Sequence, residues 1–290
     1  MEEITVDAHK IQLKALYSGE KSDPLAIILH GFPDSPKSWV PLGCRLVNLG
    51  FRVVIPWMRG YYPSPIDPNG QYLTGALAMD AISIHEHLEG DSRSIIIGHD
   101  YGAMALYGAC AIDSSIFKAA VAASVPPAGS IAEGFLNYDQ LRRSWYMFFF
   151  QSPFAEFAVA QNDLNFIERL WQDWSPGISA EEYTEDAKAA LREPGHLNAA
   201  LSYYKAVLNP TTPPEDLIVP QSKTTQISSV PTLYIHGFND GCIGMEVAKS
   251  ALKYLPENSK MEVIPRSGHF LQVESPEIFN DLVCTFVSTF

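Results

Sequence analysis

Short apolar runs recur along the chain at 25–31, 51–56, 94–100, 119–125, 232–237 and 261–265. Within each run the apolar residues are nearly continuous rather than alternating with polar ones. That is the pattern of a strand buried on both faces, as in a parallel sheet. Between the runs lie segments of helical character, near 38–49, 74–89, 102–112, 243–254 and 276–290. Strands alternating with helices predict an α/β fold, a mostly parallel sheet with helices on both sides. Residues 4–17 predict an antiparallel ribbon at the edge of that sheet.

The alternation stops between about 127 and 225. This region opens on the proline turn "VPPAGS" and closes on the proline-rich "LNPTTPPEDLIVP". Between them it is aromatic and helical in spacing, with Trp145, Tyr146, Phe148, Phe149, Phe150, Trp171, Trp174, Tyr203 and Tyr204. The pattern predicts a core domain made of residues 1–126 and 226–290, with 127–225 inserted as a helical cap.

Composition narrows the reading. With 290 residues, 47% of them apolar, the chain suffices for one large domain carrying an insertion. A net charge of −13, with no basic cluster larger than Arg142–Arg143, argues against nucleic acid as a partner. No run approaches the ~18 consecutive apolar residues of a membrane span. The acidic opening "MEEITVDAHK" lacks the apolar core of a secretory signal. Cys44, Cys110, Cys242 and Cys284 are far apart, without a C-x-x-C pair, and read as reduced thiols of a cytoplasmic protein.

The candidate chemistry falls at the carboxyl ends of three predicted strands, where open α/β sheets bind ligands. "SIIIGHDYGAMALYG", 94–108, reads as strand, tight turn and helix, with glycines flanking Asp100. That is the G-x-nucleophile-x-G elbow, with an aspartate in place of the usual serine. Taken alone, Asp100 also suits a helix N-cap. Asp240 follows "LYIHGFN" and His269 follows "EVIPRSG". The order nucleophile, acid, histidine is that of the α/β-hydrolase triad. His85 and His87 are two apart on a helix and face different ways, and no metal-binding spacing is present, so no metal is expected. The loop "HGFPDS", 30–35, follows the first buried strand. In this fold the backbone N–H groups of Phe32 and Tyr101 would form the oxyanion hole.

An aspartate at the elbow selects a different reaction from a serine. Ionised at neutral pH, it is nucleophilic without a base and can displace at an sp³ carbon, giving an alkyl ester. His269, oriented by Asp240, would then activate water to attack the ester carbonyl. Alkyl halides and epoxides both suit the first step. A departing halide needs N–H donors, whereas an epoxide oxygen needs a proton, which phenols can supply.

On H-G-F-P at 30–33, the Arg59-Gly60-Tyr61 turn, G-H-D-Y-G at 98–102, Asp240, His269 and two cap tyrosines, the chain resembles the epoxide hydrolases of the α/β-hydrolase superfamily over nearly its whole length. The resemblance implies that Tyr146, in "YMFFFQSP", and Tyr204, in "YYK", are the proton donors. Dehalogenases usually show Asn where this chain has Phe32, and Trp where it has Tyr101. The family pattern Pro-Asp-x-Arg-Gly-Tyr-Gly reads Pro56-Trp57-Met58-Arg59-Gly60-Tyr61-Tyr62 here, which alters the turn beside the elbow. The resemblance thus implies a cofactor-independent enzyme acting on a small-molecule epoxide and water. The cap aromatics and Trp39 suggest an apolar substrate, with Phe32, Tyr101 and Trp39 around it, and a homodimer is compatible with this reading. The alternatives are a haloalkane or haloacid dehalogenase with the same triad, and a non-catalytic receptor on the same scaffold. A haloacid enzyme would want arginines after the nucleophile, and "DYGAMALYG" has none.

Overall fold

A computed structural model describes residues 1–179 and 181–290. The apolar runs become strands β1 (Glu2–Ala8), β2 (Ile11–Ser18), β3 (Leu25–Leu29), β4 (Arg52–Pro56), β5 (Ile95–His99), β6 (Ala119–Ala123), β7 (Thr232–Gly237) and β8 (Lys260–Ile264). They form one sheet in the order β1-β2-β4-β3-β5-β6-β7-β8. β1 and β2 are the antiparallel edge ribbon expected from residues 4–17, β2 joins β4 antiparallel, and every later pairing is parallel. Strand order reverses beside β3, so the mouths of β3 and β5 form the switch-point crevice of an open α/β sheet.

The central strands β3 to β7 are buried along their whole length because both faces are covered. With a side-chain period of two, Ile28, Val53, Ile97, Val121 and Ile235 face one layer, formed by α1 (Val40–Asn48) and the C-terminal helix (Pro276–Val287). Ile27, Val54, Ile96, Ala120 and Tyr234 face the other, formed by α2 (Thr74–His87) and α3 (Tyr101–Ile112). Each fully buried Ile or Val contributes roughly 1.5–3 kcal/mol, which is why near-continuous apolar runs specify these strands.

Between β6 and β7 the chain is helical: α4 (Ala128–Gly134), α5 (Tyr138–Arg143), α6 (Trp145–Phe149), α7 (Ala155–Val159), α8 (Gln161–Trp174), α9 (Glu181–Arg192), α10 (His196–Leu208) and α11 (Glu215–Lys223). This inserted segment does not all lie over the strand ends. α11 packs on α2 and α3 at the flank of the sheet, where Gln221 Oε1 accepts from Gly75 N at 2.7 Å. α4 packs on α12 (Met245–Ala248) after β7. The covering part is α5 to α10, seated by Trp171 Nε1 donating to Pro33 O (2.7 Å) and Tyr203 Oη donating to Arg59 O (2.7 Å).

One predicted helix is broken. Instead of 243–254, α12 stops at Ala248 and a 3₁₀ turn occupies Ala251–Tyr254. The Val247 carbonyl that would continue the helix is taken by the Ser130 hydroxyl at 2.6 Å, a side-chain competitor for a backbone acceptor. Two helices complete the chain, α13 (Leu271–Glu274) and α14 (Pro276–Val287). Among the described residues no helix is long and apolar enough to cross a membrane.

Candidate active site

The turn after β5 holds Asp100 at φ 52°, ψ −117°, a left-handed conformation that costs a non-glycine residue on the order of 1–3 kcal/mol. The turn fits only because Gly102 lacks a side chain: a Cβ there would lie 2.1 Å from the Leu29 carbonyl oxygen. Asp100 sits at the N-cap position of α3, yet its side chain makes no capping bond. Instead Oδ1 accepts from the backbone N–H of Phe32 at 2.8 Å. Tyr101 N is the first amide of α3, one of those a helix leaves without an internal carbonyl. The elbow therefore aims the carboxylate across the mouth of the sheet.

The other two predicted triad residues meet it there. His269 Nδ1 donates to Asp240 Oδ2 at 2.9 Å, and its Nε2 lies 3.8 Å from Asp100 Oδ2, a charge contact too long for a hydrogen bond. Asp240 is held by the amides of Cys242 (2.7 Å) and Ile243 (2.8 Å) on Oδ1. Burial works against charge on the imidazole, but the Asp240 and Asp100 carboxylates outweigh it and raise His269 to about 10. Burial also opposes ionisation of Asp240, and the His269 charge and hydrogen bonds outweigh it, leaving the carboxyl below its ordinary value.

The helical segment closes the site from above. Tyr146 and Tyr204 are 2% exposed, with rings 5.4 Å apart and nearly perpendicular. Tyr204 lies edge-on to Phe32 (5.2 Å) and Tyr101 (5.0 Å), the two residues beside the elbow. Tyr146 Oη is 3.3 Å from Cys242 Sγ, whereas Tyr204 Oη has no partner among the described residues. Burial, then neighbouring negative groups including Asp100, holds both phenols well above their ordinary value, so both stay protonated. α10 is seated on the 57–62 turn that departs from the family pattern. Arg59 is buried in ion pairs with Asp80 (2.6 Å) and Asp67 (2.7 Å), and His196 Nδ1 donates to Gly60 O at 3.0 Å.

Trp39, expected near the substrate, is not brought to this cluster. Its indole is fully buried in the layer formed with α1 and α14, against Phe279 and His99. Its Nε1 donates to Asp34 Oδ2 (3.1 Å). Asp34 also takes bonds from Ser35 N, Ser38 Oγ and Gln272 Nε2 and thereby joins the Phe32 loop to the turn after His269.

Two features escaped the sequence reading. Cys242 places its thiol between the acid's loop and the Tyr146 hydroxyl. Trp174, noted only as a cap aromatic, packs on His269 (5.2 Å) and Tyr146 (4.8 Å). It also lines a solvent cleft of about 280 Å³ together with Trp145, Arg142 and Arg143. Both depend on contacts across long sequence separations, for which the sequence carries no local signal. Among the described residues, Asp240, Cys242 and His269 have ligand atoms within 4.8 Å of one another, close enough to suggest a metal. Asp240 and His269 are already bonded to each other, so a metal there would have to break that hydrogen bond.

Comparison with known proteins agrees with this architecture. The chain is 28% identical to human Epoxide hydrolase 4 over 279 residues, covering 93% of this chain and 74% of that protein. It is 26% identical to the AB hydrolase superfamily protein YfhM of Bacillus subtilis, covering 97% of this chain and 96% of that one. Among solved structures, Epoxide Hydrolase A of Mycobacterium thermoresistibile superposes with a TM-score of 0.83 at 20% identity, over 98% of this chain and 97% of that one. The Bacillus megaterium epoxide hydrolase, solved with an inhibitor, gives 0.83 at 21% identity over 98% of this chain and 100% of that one. The model of the Alpha/beta hydrolase family matches residues 26–282, from β3 through β8 with everything inserted between them, and the chain belongs to that family.

Proposed function

We propose that this protein is an epoxide hydrolase that opens an epoxide to a vicinal diol through an alkyl ester on Asp100. The observation that carries the reading is the aspartate at the elbow, with an amide on one oxygen and a histidine, backed by a second aspartate, beside the other. Kinship with proteins named epoxide hydrolase supports the same choice of substrate. Helices α5 to α10 act as the lid. Within the expected insertion 127–225 these six helices form the covering unit, while α4 packs on α12 and α11 on α2 and α3.

In the first step an Asp100 oxygen attacks an epoxide carbon from behind, the C–O bond breaks, and a phenol of Tyr146 or Tyr204 hydrogen-bonds to the ring oxygen and gives it a proton. Both phenols are held protonated by burial and neighbouring negative groups, so a proton donor is on hand as negative charge develops on the ring oxygen. In the second step His269 takes a proton from water, which adds to the Asp100 ester carbonyl. Phe32 N–H, already on Oδ1, and Tyr101 N–H hold the oxyanion. Esterification itself arms the base. It removes the Asp100 negative charge, one of the influences that raise His269, so the imidazole is easier to deprotonate once the ester exists. The tetrahedral intermediate then collapses: the expelled alkoxide takes its proton from the His269 imidazolium to complete the diol, and the carboxyl proton of Asp100 returns to the tyrosinate, leaving the free carboxylate.

The test uses styrene oxide as substrate, with haloalkanes in parallel. The parent protein should yield diol, and His269→Gln should accumulate a covalent adduct seen by intact mass, with turnover lowered ~10²–10⁴-fold. Halide release without diol formation would replace this reading with a dehalogenase, and parental turnover in His269→Gln would place the base elsewhere.

A further inference from the structure

The catalytic base is held from the lid side as well as from the sheet. His269 lies on the loop after β8, and its backbone N–H is shared between the carbonyl of Trp174 (3.1 Å) and the hydroxyl of Ser175 (3.0 Å). The same hydroxyl accepts from Phe270 N (3.1 Å) and donates to Glu274 Oε1 (2.6 Å). Glu274 completes the clasp by accepting from Gly268 N (2.8 Å) and Phe270 N (3.1 Å). The Trp174 carbonyl reaches the acid's loop too, accepting from Gly241 N at 3.0 Å. Trp174 and Ser175 are the end and the C-cap of α8, a lid helix.

The approach is close enough to depend on glycine. A Cβ on Gly268 would lie 2.5 Å from the Trp174 carbonyl oxygen and 2.6 Å from Ser175 Cα. Ser175 is fully buried, so its hydroxyl contacts protein rather than bulk water. Within one turn of chain, the lid thus contributes hydrogen bonds to both loops that carry the His269–Asp240 pair. The lid also reaches the acid's loop through Gln140, which donates to Cys242 O (2.8 Å) and accepts from Gly244 N (2.9 Å), but among the described residues the lid's hydrogen bonds to the His269 loop all come from Trp174 and Ser175.

We propose that the end of α8 is a strut for the base, and that Ser175, through its three hydrogen bonds, is a positioning residue for His269. Ser175 touches neither substrate nor the reacting atoms. It fixes where Nε2 stands relative to the Asp100 ester. It follows that the lid and the base loop move as one body at this edge, and substrate enters by displacement of other parts of the lid. The inference rests on His269 being the base for ester hydrolysis.

The test separates the two half-reactions, because a strut for the base acts on only one. With styrene oxide under single-turnover conditions, Ser175→Ala should alkylate Asp100 at close to the parental rate and hydrolyse the ester about 10–100-fold more slowly, the scale of a base misplaced by about an ångström. Ester should accumulate in the steady state, and Ser175→Thr, which keeps the hydroxyl, should restore most of the loss. Amide hydrogen exchange at His269 and Phe270 should quicken in Ser175→Ala. If that variant does not fold, Glu274→Gln, which weakens the clasp from its other end, should show the same one-sided slowing. Equal slowing of both steps, or no slowing of hydrolysis, overturns the strut. His269→Gln distinguishes this failure from the larger one. Ester trapped in His269→Gln while Ser175→Ala hydrolyses normally removes the strut alone, whereas no trapped ester in His269→Gln removes the base assignment on which it stands.

Discussion

The floor of the site and its roof hold their functional groups in opposite ways. On the floor, Asp240 has three hydrogen-bond donors, Asp100 has the Phe32 amide, and His269 is fixed through its side chain, its N–H and its carbonyl. The roof offers two phenols set among aromatic rings, and the Tyr204 hydroxyl has no partner among the described residues. An unpaired buried hydroxyl costs about 1–3 kcal/mol. On the proposed mechanism, groups that must be aligned before the reaction are tied down, while the hydroxyl that would meet the substrate's oxygen carries no competing bond.

Breaking the roof should give the larger effect. Tyr146→Phe or Tyr204→Phe should each slow Asp100 alkylation by ~10²–10³-fold, comparable to loss of one oxyanion donor, and the double variant should fall further. Ester hydrolysis should change much less. Pre-steady-state alkylation with one epoxide is the measurement, and unchanged alkylation in all three variants would assign the phenols to packing.

The floor should reveal itself through pH. His30 uses both ring nitrogens as a neutral imidazole, Nδ1 donating to Gly31 O and Nε2 accepting from Met58 N, and burial lowers it to about 4. Burial, reinforced by His269, lowers His99 to about 3. Below the free value of 6.5 the unfolded chain binds these protons and the folded chain does not, so stability falls with pH, at up to ~1.4 kcal/mol per unit for each histidine. Asp34, raised by burial to about 6, offsets one histidine over part of that range. His269 has the opposite sign. Its stabilisation is complete below 6.5 and is lost as pH rises toward about 10. Thermal unfolding followed across pH should therefore show a maximum near neutrality with a fall on both sides. A flat profile between pH 4 and 9 would contradict these assignments.

The smallest effect concerns the layer on the far side of the sheet, formed with α1 and α14. Trp39→Phe removes the indole bond to Asp34 and should cost about 1–3 kcal/mol of stability, read by denaturant unfolding. The KM for styrene oxide should not change, because Trp39 lies in the layer formed with α1 and α14. A raised KM would return Trp39 to the substrate pocket.

How much of this was legible in the chain follows the same division. Strands buried on both faces leave continuous apolar runs, and a chemistry-bearing turn at a strand end interrupts such a run visibly. The sheet and the meeting place of Asp100, Asp240 and His269 could therefore be read from local pattern. Tyr146 and Tyr204 sit in apolar helices where a tyrosine usually only packs, and resemblance rather than periodicity singled them out. Trp39 misled because an aromatic after a glycine loop looks the same in sequence whichever face of the sheet it turns to. Ser175, Glu274, Gln272 and Cys242 were silent because they meet partners 96 to 238 positions away, and no local spacing encodes such contacts.

The central claim is that Asp100 forms a covalent ester, and the origin of the diol's new oxygen tests it most directly. In a single turnover of styrene oxide in ¹⁸O-water, with enzyme in excess, the account predicts mostly unlabelled diol and one labelled oxygen left in the Asp100 carboxylate, found by mass spectrometry of the peptide that carries it. Diol fully labelled in that first turnover, with Asp100 unlabelled, would mean that water attacks the epoxide directly and would contradict the account.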